Sequence, residues 1–94
     1  MNDATTVERQ VQVVNPQGFH ARPAAEFVKL ASRFASDVWI AKDGLEVNGK
    51  SIMGVLMLAA EQGSTLTIRA DGEDATEAVD QLCALVASGF QEEA

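Results

Sequence analysis

Apolar residues along this chain switch repeatedly between two spacings, and this switching restricts the possible folds more than any other feature. Val7, Val11 and Val13 alternate with polar residues, as in a strand with one buried face. Beyond the turn formers at 15–18, apolar residues in the range 24–34 recur every three or four positions, as on an amphipathic helix. Continued along the chain, these spacings predict the order βαββαβα: strand 7–14, helix 21–34, strands at 38–40 and 45–47, helix 51–60, strand 66–70, and helix 74–88 closed by Gly89.

Turn-forming and capping residues support these boundaries. Pro23 fits the first turn of a helix, where the missing amide would have had no intrahelical partner. The segment 42–44 contains Gly44 and predicts the tight turn of a β-hairpin. Ser51 is suited to cap the second helix, and 74–77 resembles a capping box for the third.

Two long amphipathic helices each need an apolar surface to cover, and four strands with one apolar face supply it. The chain has 94 residues, 47% of them hydrophobic, which is enough apolar material for a core and too short for two ordinary domains. We therefore expect residues 1–94 to form a single α+β domain of two layers. The helices should lie on one face of the sheet, and the other face should be open to water.

The short middle helix differs from the other two because apolar side chains surround most of its circumference. A helix of this size cannot bury all of them, so some are expected to form an exposed contact patch. The candidates are Ile52, Met53 and Leu56, each of which could equally belong to the core.

The chain has a formal net charge of −7, so long-range electrostatics oppose binding to nucleic acid or to an anionic membrane surface. The excess of acids falls in the range 71–94, which contains no Lys or Arg, whereas the first 70 residues are balanced. The balanced part can still present a local basic patch. Its available side chains are Arg22, Lys29, Arg33 and Lys50.

The single cysteine, Cys83, cannot form an internal disulfide, and the residues before the first strand lack the features of a signal peptide. No apolar run approaches the length of a membrane span. We therefore expect a cytoplasmic protein with no membrane insertion. One histidine and one cysteine far apart offer no ligand set for zinc, so no metal site is expected.

The one histidine, His20, is predicted to lie at the N-terminus of the first helix, where partnerless amides and the helix dipole favour anions. If its imidazole acquired a phosphoryl group, the amides of Ala21 and Arg22 and the Arg22 guanidinium could bind the phosphoryl oxygens. Imidazole nitrogen is a nucleophile near neutral pH, and the phosphorus–nitrogen bond stays labile enough to pass the group onward. A histidine at this place could instead be a plain capping or surface residue.

The segments Gly18-Phe19-His20-Ala21-Arg22-Pro23-Ala24 and Lys50-Ser51-Ile52-Met53-Gly54 together resemble the HPr family of phosphocarrier proteins of bacterial phosphotransferase systems. The resemblance covers nearly the whole chain and implies an open-faced β-sandwich with a four-stranded antiparallel sheet. It further implies that His20 takes a phosphoryl group on Nδ1 from phospho-Enzyme I, itself charged by phosphoenolpyruvate. His20 would then give the group to a IIA protein or domain, while Arg22 steadies it. Such a protein is a relay intermediate rather than a turnover enzyme, and it needs no cofactor.

The resemblance also implies a partner surface and a regulatory serine. Ser51 matches the serine that an HPr kinase/phosphorylase modifies in many relatives, a role compatible with capping a helix. The protein is expected to be a monomer that meets its partners through a set of residues around the two motifs. That set is Phe19, Ala21, Lys29, Lys50, Ile52, Met53 and Leu56.

Two other functions compete with the phosphocarrier. The first is a regulatory binding module that acts through the Ile52 and Met53 patch and Ser51, with little use of His20. The family's sugar-uptake and nitrogen-regulatory branches share the histidine motif, and the sequence does not separate them. The second is a nucleotide binder, because 44–51 satisfies the pattern G-x-x-x-x-G-K-[ST]. We reject it, since the residues between the two glycines alternate like a strand instead of forming a phosphate-cradling loop.

Overall fold

The computed structural model describes residues 5–91 and has the element order expected from the sequence. The elements are β1 (Thr6–Gln12), α1 (Ala21–Ala31), β2 (Asp37–Lys42), β3 (Leu45–Asn48), α2 (Ile52–Met57), β4 (Thr65–Asp71), α3 (Ala75–Ala87) and a 3₁₀ turn, Gly89–Gln91. The strands form one sheet in the order β1-β4-β2-β3, and every neighbouring pair is antiparallel. The expected two-layer α+β sandwich with one open sheet face is confirmed.

The core lies between the sheet and the helices. Strand β4 runs between β1 and β2, and its inward side chains Leu66, Ile68 and Ala70 are fully buried. The register places Ile68 opposite Ile40 of β2, which is also fully buried. From the helix layer, Phe27 of α1 packs into the same cluster. The period-two pattern of these strands therefore reflects one buried and one open face.

The open face of the sheet carries a stacked cation instead of a hydrophobic patch. The guanidinium carbon of Arg69 on β4 lies 4.1 Å from the centre of the Trp39 ring on β2. Arg69 also forms an ion pair with Glu46 of β3, with 3.0 Å between Nη2 and Oε1. The arginine thus covers part of the indole and bridges three strands on the side opposite the helices.

Three elements end earlier than the sequence spacing predicts. Strand β1 ends at Gln12, and the next amide, that of Val13, donates to the carbonyl of Ser64 at 2.9 Å. Helix α1 ends at Ala31 instead of 34, with Ser32 as its C-cap. Helix α2 ends at Met57 instead of 60, and the Lys42 ammonium donates to the carbonyl of Leu58 at 3.0 Å.

The expected capping box at the start of α3 is wrong. Asp74 is the N-cap residue, but its carboxylate makes no capping hydrogen bond to its own helix. It accepts instead from the amides of Ala35 and Ser36, at 2.8 and 2.9 Å, and from the Ser36 hydroxyl. These hydrogen bonds, that of the Ser36 hydroxyl first, lower the pKa of Asp74 below its ordinary value. Asp74 therefore fastens the start of α3 to the connection between α1 and β2.

Candidate functional site

His20 is the N-cap residue of α1, as expected. Its backbone is extended, with φ −76° and ψ −172°, and its carbonyl accepts the amide of Ala24 at 3.1 Å. The imidazole is partly exposed and makes no capping hydrogen bond to the helix. The plain capping role considered for this histidine is therefore not the one its side chain adopts. The imidazole lies beside a helix terminus whose amides and dipole favour an anion.

The loop before His20 is held tightly against the end of α2. The amide of Phe19 donates to the carbonyl of Ala60 at 2.9 Å, and the Asn15 side chain donates to the carbonyl of Gly18 at 2.7 Å. Gly18 has φ +63°, and a Cβ atom at this position would lie 2.2 Å from the Ala60 carbonyl oxygen. Glycine is required here because the two backbones approach so closely. These contacts fix the point at which α1 begins.

Arg22 lies one turn of helix from its ion-pair partner. Its Nη1 atom is 2.6 Å from Oε2 of Glu26, and both side chains are substantially exposed. Sequence reasoning proposed Arg22 as the partner of a phosphoryl group but did not single out Glu26. The spacing of four residues between opposite charges on a predicted helix was the available signal. In this structure the arginine is therefore oriented partly by a carboxylate of its own helix.

Phe19 corrects an expectation about the partner surface. Its side chain is 4% exposed, so it cannot offer a contact to another protein. The ring packs against Phe27 of α1 with centroids 5.9 Å apart, and edge-on against Phe90 with centroids 5.1 Å apart. Ala21, the residue after the histidine, is exposed. The residue before the histidine therefore belongs to the core, whereas the residue after it faces outward.

Helix α2 presents the exposed apolar surface that its composition predicted. Ile52 and Leu56 are exposed, and Met53 is the most exposed of the predicted set at 69%. Met57 is 67% exposed and was not among the predicted contact residues. Its apolar side chain lies one helical turn beyond Met53, so helical spacing could have identified it. We call these four residues the α2 patch.

Ser51 is the N-cap of α2, which confirms the capping role. Its hydroxyl oxygen accepts a hydrogen bond from the amide of Gly54 at 3.1 Å. The preceding residues 45–48 form strand β3, so the glycine-lysine-serine pattern that resembled a nucleotide-binding loop is a strand followed by a helix cap. The side chain of Lys50 turns back to donate to the carbonyl of Phe34 at 2.7 Å.

The lysines differ in their surroundings. Lys29 lies in the last turn of α1 and is exposed. Together with Glu26, Leu30, Arg33 and Leu85 it lines a shallow groove of about 330 Å³ between α1 and α3. Lys50, in contrast, is only partly exposed because its ammonium group is bound to a backbone carbonyl. Of the two predicted contact lysines, Lys29 is the more exposed.

Within residues 5–91, no helix is long and apolar enough to cross a membrane. The same residues contain no cluster of three or more side chains of the types that bind metal ions.

Comparison with known proteins agrees with the motifs over almost the whole chain. A family model described as the PTS HPr component phosphorylation site matches residues 7–88. The phosphocarrier protein HPr of Cupriavidus necator is 46% identical over 86 residues, which cover 92% of this chain and 97% of that protein. The HPr-like protein Crh of Halalkalibacterium halodurans is 50% identical over 80 residues, covering 85% and 95% of the two chains. A crystal structure of HPr from Thermoanaerobacter tengcongensis superposes with a TM-score of 0.90 at 44% identity, covering 94% of this chain and 99% of that one.

Proposed function

The chain belongs to the HPr family, which includes phosphocarriers of the phosphotransferase system, and we propose that His20 is the residue that carries the phosphoryl group. In this proposal Nδ1 of His20 accepts the group from phospho-Enzyme I, which phosphoenolpyruvate has charged. His20 then passes the group to a IIA protein or domain. The observation that carries the proposal is the position of the imidazole, partly exposed at the N-cap of α1.

The transfer requires one bond to form and one to break at phosphorus. The lone pair of the imidazole nitrogen forms a bond to phosphorus while the bond between phosphorus and the donor breaks, and the donor keeps that electron pair. Phosphoryl transfer depends mainly on alignment and on neutralising the charge of the three equatorial oxygens. The N-terminus of α1 supplies part of that positive potential beside His20. The protein is regenerated when a second acceptor takes the group, so it is a relay and not a turnover catalyst.

Arg22 supplies the mobile part of the positive charge. Its ion pair with Glu26 is a solvent-exposed pair four residues apart on a helix, a type worth only about 0.3–0.5 kcal/mol. Hydrogen bonds to a charged group such as a phosphoryl oxygen contribute more, about 1.5–3 kcal/mol each. We infer that the guanidinium exchanges Glu26 for the phosphoryl group when His20 becomes phosphorylated.

The α2 patch and the exposed start of α1 form the proposed contact surface for Enzyme I and the IIA acceptor. Because the loop before His20 is hydrogen-bonded to Ala60 just beyond α2, the patch and the imidazole belong to adjoining parts of one surface. Apolar side chains such as Ile52 and Met53 can be buried against a partner at little cost. Ala21 and Lys29 extend the surface along α1, and Lys29 can meet acidic groups of a partner.

We further propose that an HPr kinase/phosphorylase modifies Ser51. A phosphate at this residue would stay beside the start of α2, a place that tolerates negative charge. Its effect would then come from repelling acidic groups of a partner docked on the α2 patch and not from unfolding the helix.

The decisive experiment is incubation of the protein with Enzyme I and phosphoenolpyruvate. We expect one acid-labile phosphate per chain. His20→Ala should abolish the label, and because His20 is the chain's one histidine, no other imidazole can replace it. Glu73→Gln, an exposed side chain in the connection between β4 and α3, is the control. Label that persists in His20→Ala would refute the assignment.

A regulatory binding module is the second candidate. The exposed α2 patch favours it, as does the similarity to an HPr-like protein named Crh. In that case Ser51 controls a partner and His20 is used little. Cells carrying His20→Ala would keep the phenotype of the wild type, whereas cells carrying Ser51→Ala would not. The opposite pattern supports the phosphocarrier.

A further inference from the structure

A short 3₁₀ turn, Gly89–Gln91, follows helix α3. Gly89 follows the helix with φ +72°, and Phe90 continues the left-handed backbone with φ +56°. This conformation is energetically unfavourable for a phenylalanine because its Cβ crowds the neighbouring carbonyl. Packing must therefore hold it in place. The Phe90 ring is 1% exposed and provides that packing. The 3₁₀ turn is thus a built feature of the fold.

The turn packs against the loop that leads to His20. The Phe90 ring meets the Phe19 ring edge-on, with 5.1 Å between centroids and an interplanar angle of 86°. A Cβ atom at Gly89 would lie 3.3 Å from Cγ2 of Val14 and 3.8 Å from Cβ of Asn15. The Asn15 side chain in turn donates to the carbonyl of Gly18. The turn therefore touches the loop at both its beginning and its end.

We propose that Phe90 is a positioning residue for His20, acting through the ring of Phe19. This inference rests on the proposed phosphocarrier function and adds to it a part of the chain that contacts no phosphoryl group. Phe27, the other ring against Phe19, belongs to α1 itself and moves with that helix. Phe90 comes from a different element, so it ties the start of α1 to the end of α3.

The consequence for transfer follows from geometry. Phe19 directly precedes His20 in the chain, and its amide donates a hydrogen bond to the carbonyl of Ala60. Replacing the Phe90 ring with a smaller side chain would leave a cavity beside the Phe19 ring. The Phe19 ring could then shift into that cavity, and the peptide group between Phe19 and His20 could rotate. In-line transfer needs the imidazole nitrogen aligned with phosphorus, and a misplacement of about 1 Å can slow such a step by about a hundredfold.

The test compares two phenylalanine-to-leucine variants. Phe90→Leu keeps an apolar side chain but removes the ring edge at Phe19. Phe34→Leu makes the same change at a phenylalanine near the other end of α1 that is also buried. Both proteins are assayed at a temperature at which the fluorescence of Trp39 on the open sheet face shows them fully folded. We expect Phe90→Leu to slow phosphorylation by Enzyme I on the order of tenfold, and Phe34→Leu to retain the wild-type rate.

Two further measurements separate positioning from a general loss of stability. The NMR shifts of the imidazole carbon-bound protons should change in unphosphorylated Phe90→Leu and stay unchanged in Phe34→Leu. In the background of Phe19→Leu, the additional effect of Phe90→Leu on the rate should be small, because the two rings act as one unit.

Equal slowing by the two leucine variants, or a wild-type rate with unchanged imidazole shifts in Phe90→Leu, would overturn the positioning role. Additive effects of Phe19→Leu and Phe90→Leu would show that Phe90 does not act through Phe19. Failure of the proposed function has a different signature, namely a wild-type protein that Enzyme I does not label on His20. The imidazole shifts of the unphosphorylated protein still test the positioning of His20 in that case.

Discussion

Removing the hydroxyl of Ser51 should destabilise the protein through α2, whatever regulatory role the serine has. In Ser51→Ala the amide of Gly54 loses the oxygen that accepts its hydrogen bond at 3.1 Å. Loss of a serine N-cap costs about 0.5–2 kcal/mol. Helix α2 has six residues, of which only Val55 is buried, so tertiary packing compensates little for a lost cap.

We therefore expect a loss in the upper half of that range, about 1–2 kcal/mol, from Ser51→Ala. For a domain of this size, that corresponds to a fall of roughly 5–15 °C in Tm. The assay is thermal and urea unfolding, monitored by the fluorescence of Trp39. Hydrogen exchange of the Gly54 amide is measured as well. Ser51→Asp is the matched control, because aspartate caps a helix as well as serine does and also introduces negative charge.

The comparison of the two variants separates capping from regulation. If Ser51→Asp keeps the wild-type Tm but weakens the contact with a partner, negative charge acts at the α2 patch and not on the fold. A Ser51→Ala protein as stable as the wild type, with an equally protected Gly54 amide, would refute the capping argument. Ser51→Asp as unstable as Ser51→Ala would refute the statement that this helix terminus tolerates an anion.

Three other outcomes are expected. Glu26→Gln should remove this ion pair of Arg22 and raise the extent of phosphorylation about twofold, the factor that corresponds to an exposed ion pair; an unchanged labelling equilibrium with Enzyme I would contradict the exchange. Because its pKa is lowered in the folded state, Asp74 contributes stability above its ordinary pKa of 3.8, and this is lost as pH falls through the lowered value. Urea unfolding of Asp74→Asn should therefore differ most from that of the wild type near neutral pH, and the difference should shrink in acid. Gly18→Ala should cost about 1–3 kcal/mol or more; Gly44→Ala, equally left-handed but with open space around it, should cost less by thermal unfolding.

The order of the elements could be predicted because it depends on local spacing. The alternation of apolar and polar residues around Val7 and Val11, or around Leu66 and Ile68, shows which face of a strand is buried. This pattern can be read from adjacent residues alone. The ends of elements could not be predicted in the same way. Asp74 has the composition of a cap, yet its carboxylate is taken by amides 38 and 39 residues earlier. Contacts across such separations leave no periodic trace in the sequence.

The residues of the candidate site also fall into those that local sequence predicts and those that depend on distant contacts. His20 could be placed at a helix start because Pro23 and the preceding turn formers mark that start locally. Burial of Phe19 was missed, since it depends on Phe90 some seventy residues later. The hydrogen bond of Lys50 to the carbonyl of Phe34 was missed for the same reason, because a lysine in a loop has the same local pattern whether or not its ammonium group finds a carbonyl.

The placement of the lysines has a practical consequence for handling this protein. Among the described residues, Lys42 and Lys50 direct their ammonium groups at backbone carbonyls, whereas Lys29 is exposed. Among the lysines, reagents that acylate amines should therefore favour Lys29. If the protein were coupled to a sensor surface through Lys29, the side of α1 proposed to meet partners would face that surface and be blocked. Immobilisation through a side chain on the open sheet face, for example one introduced at Glu8 of β1, would leave that side accessible.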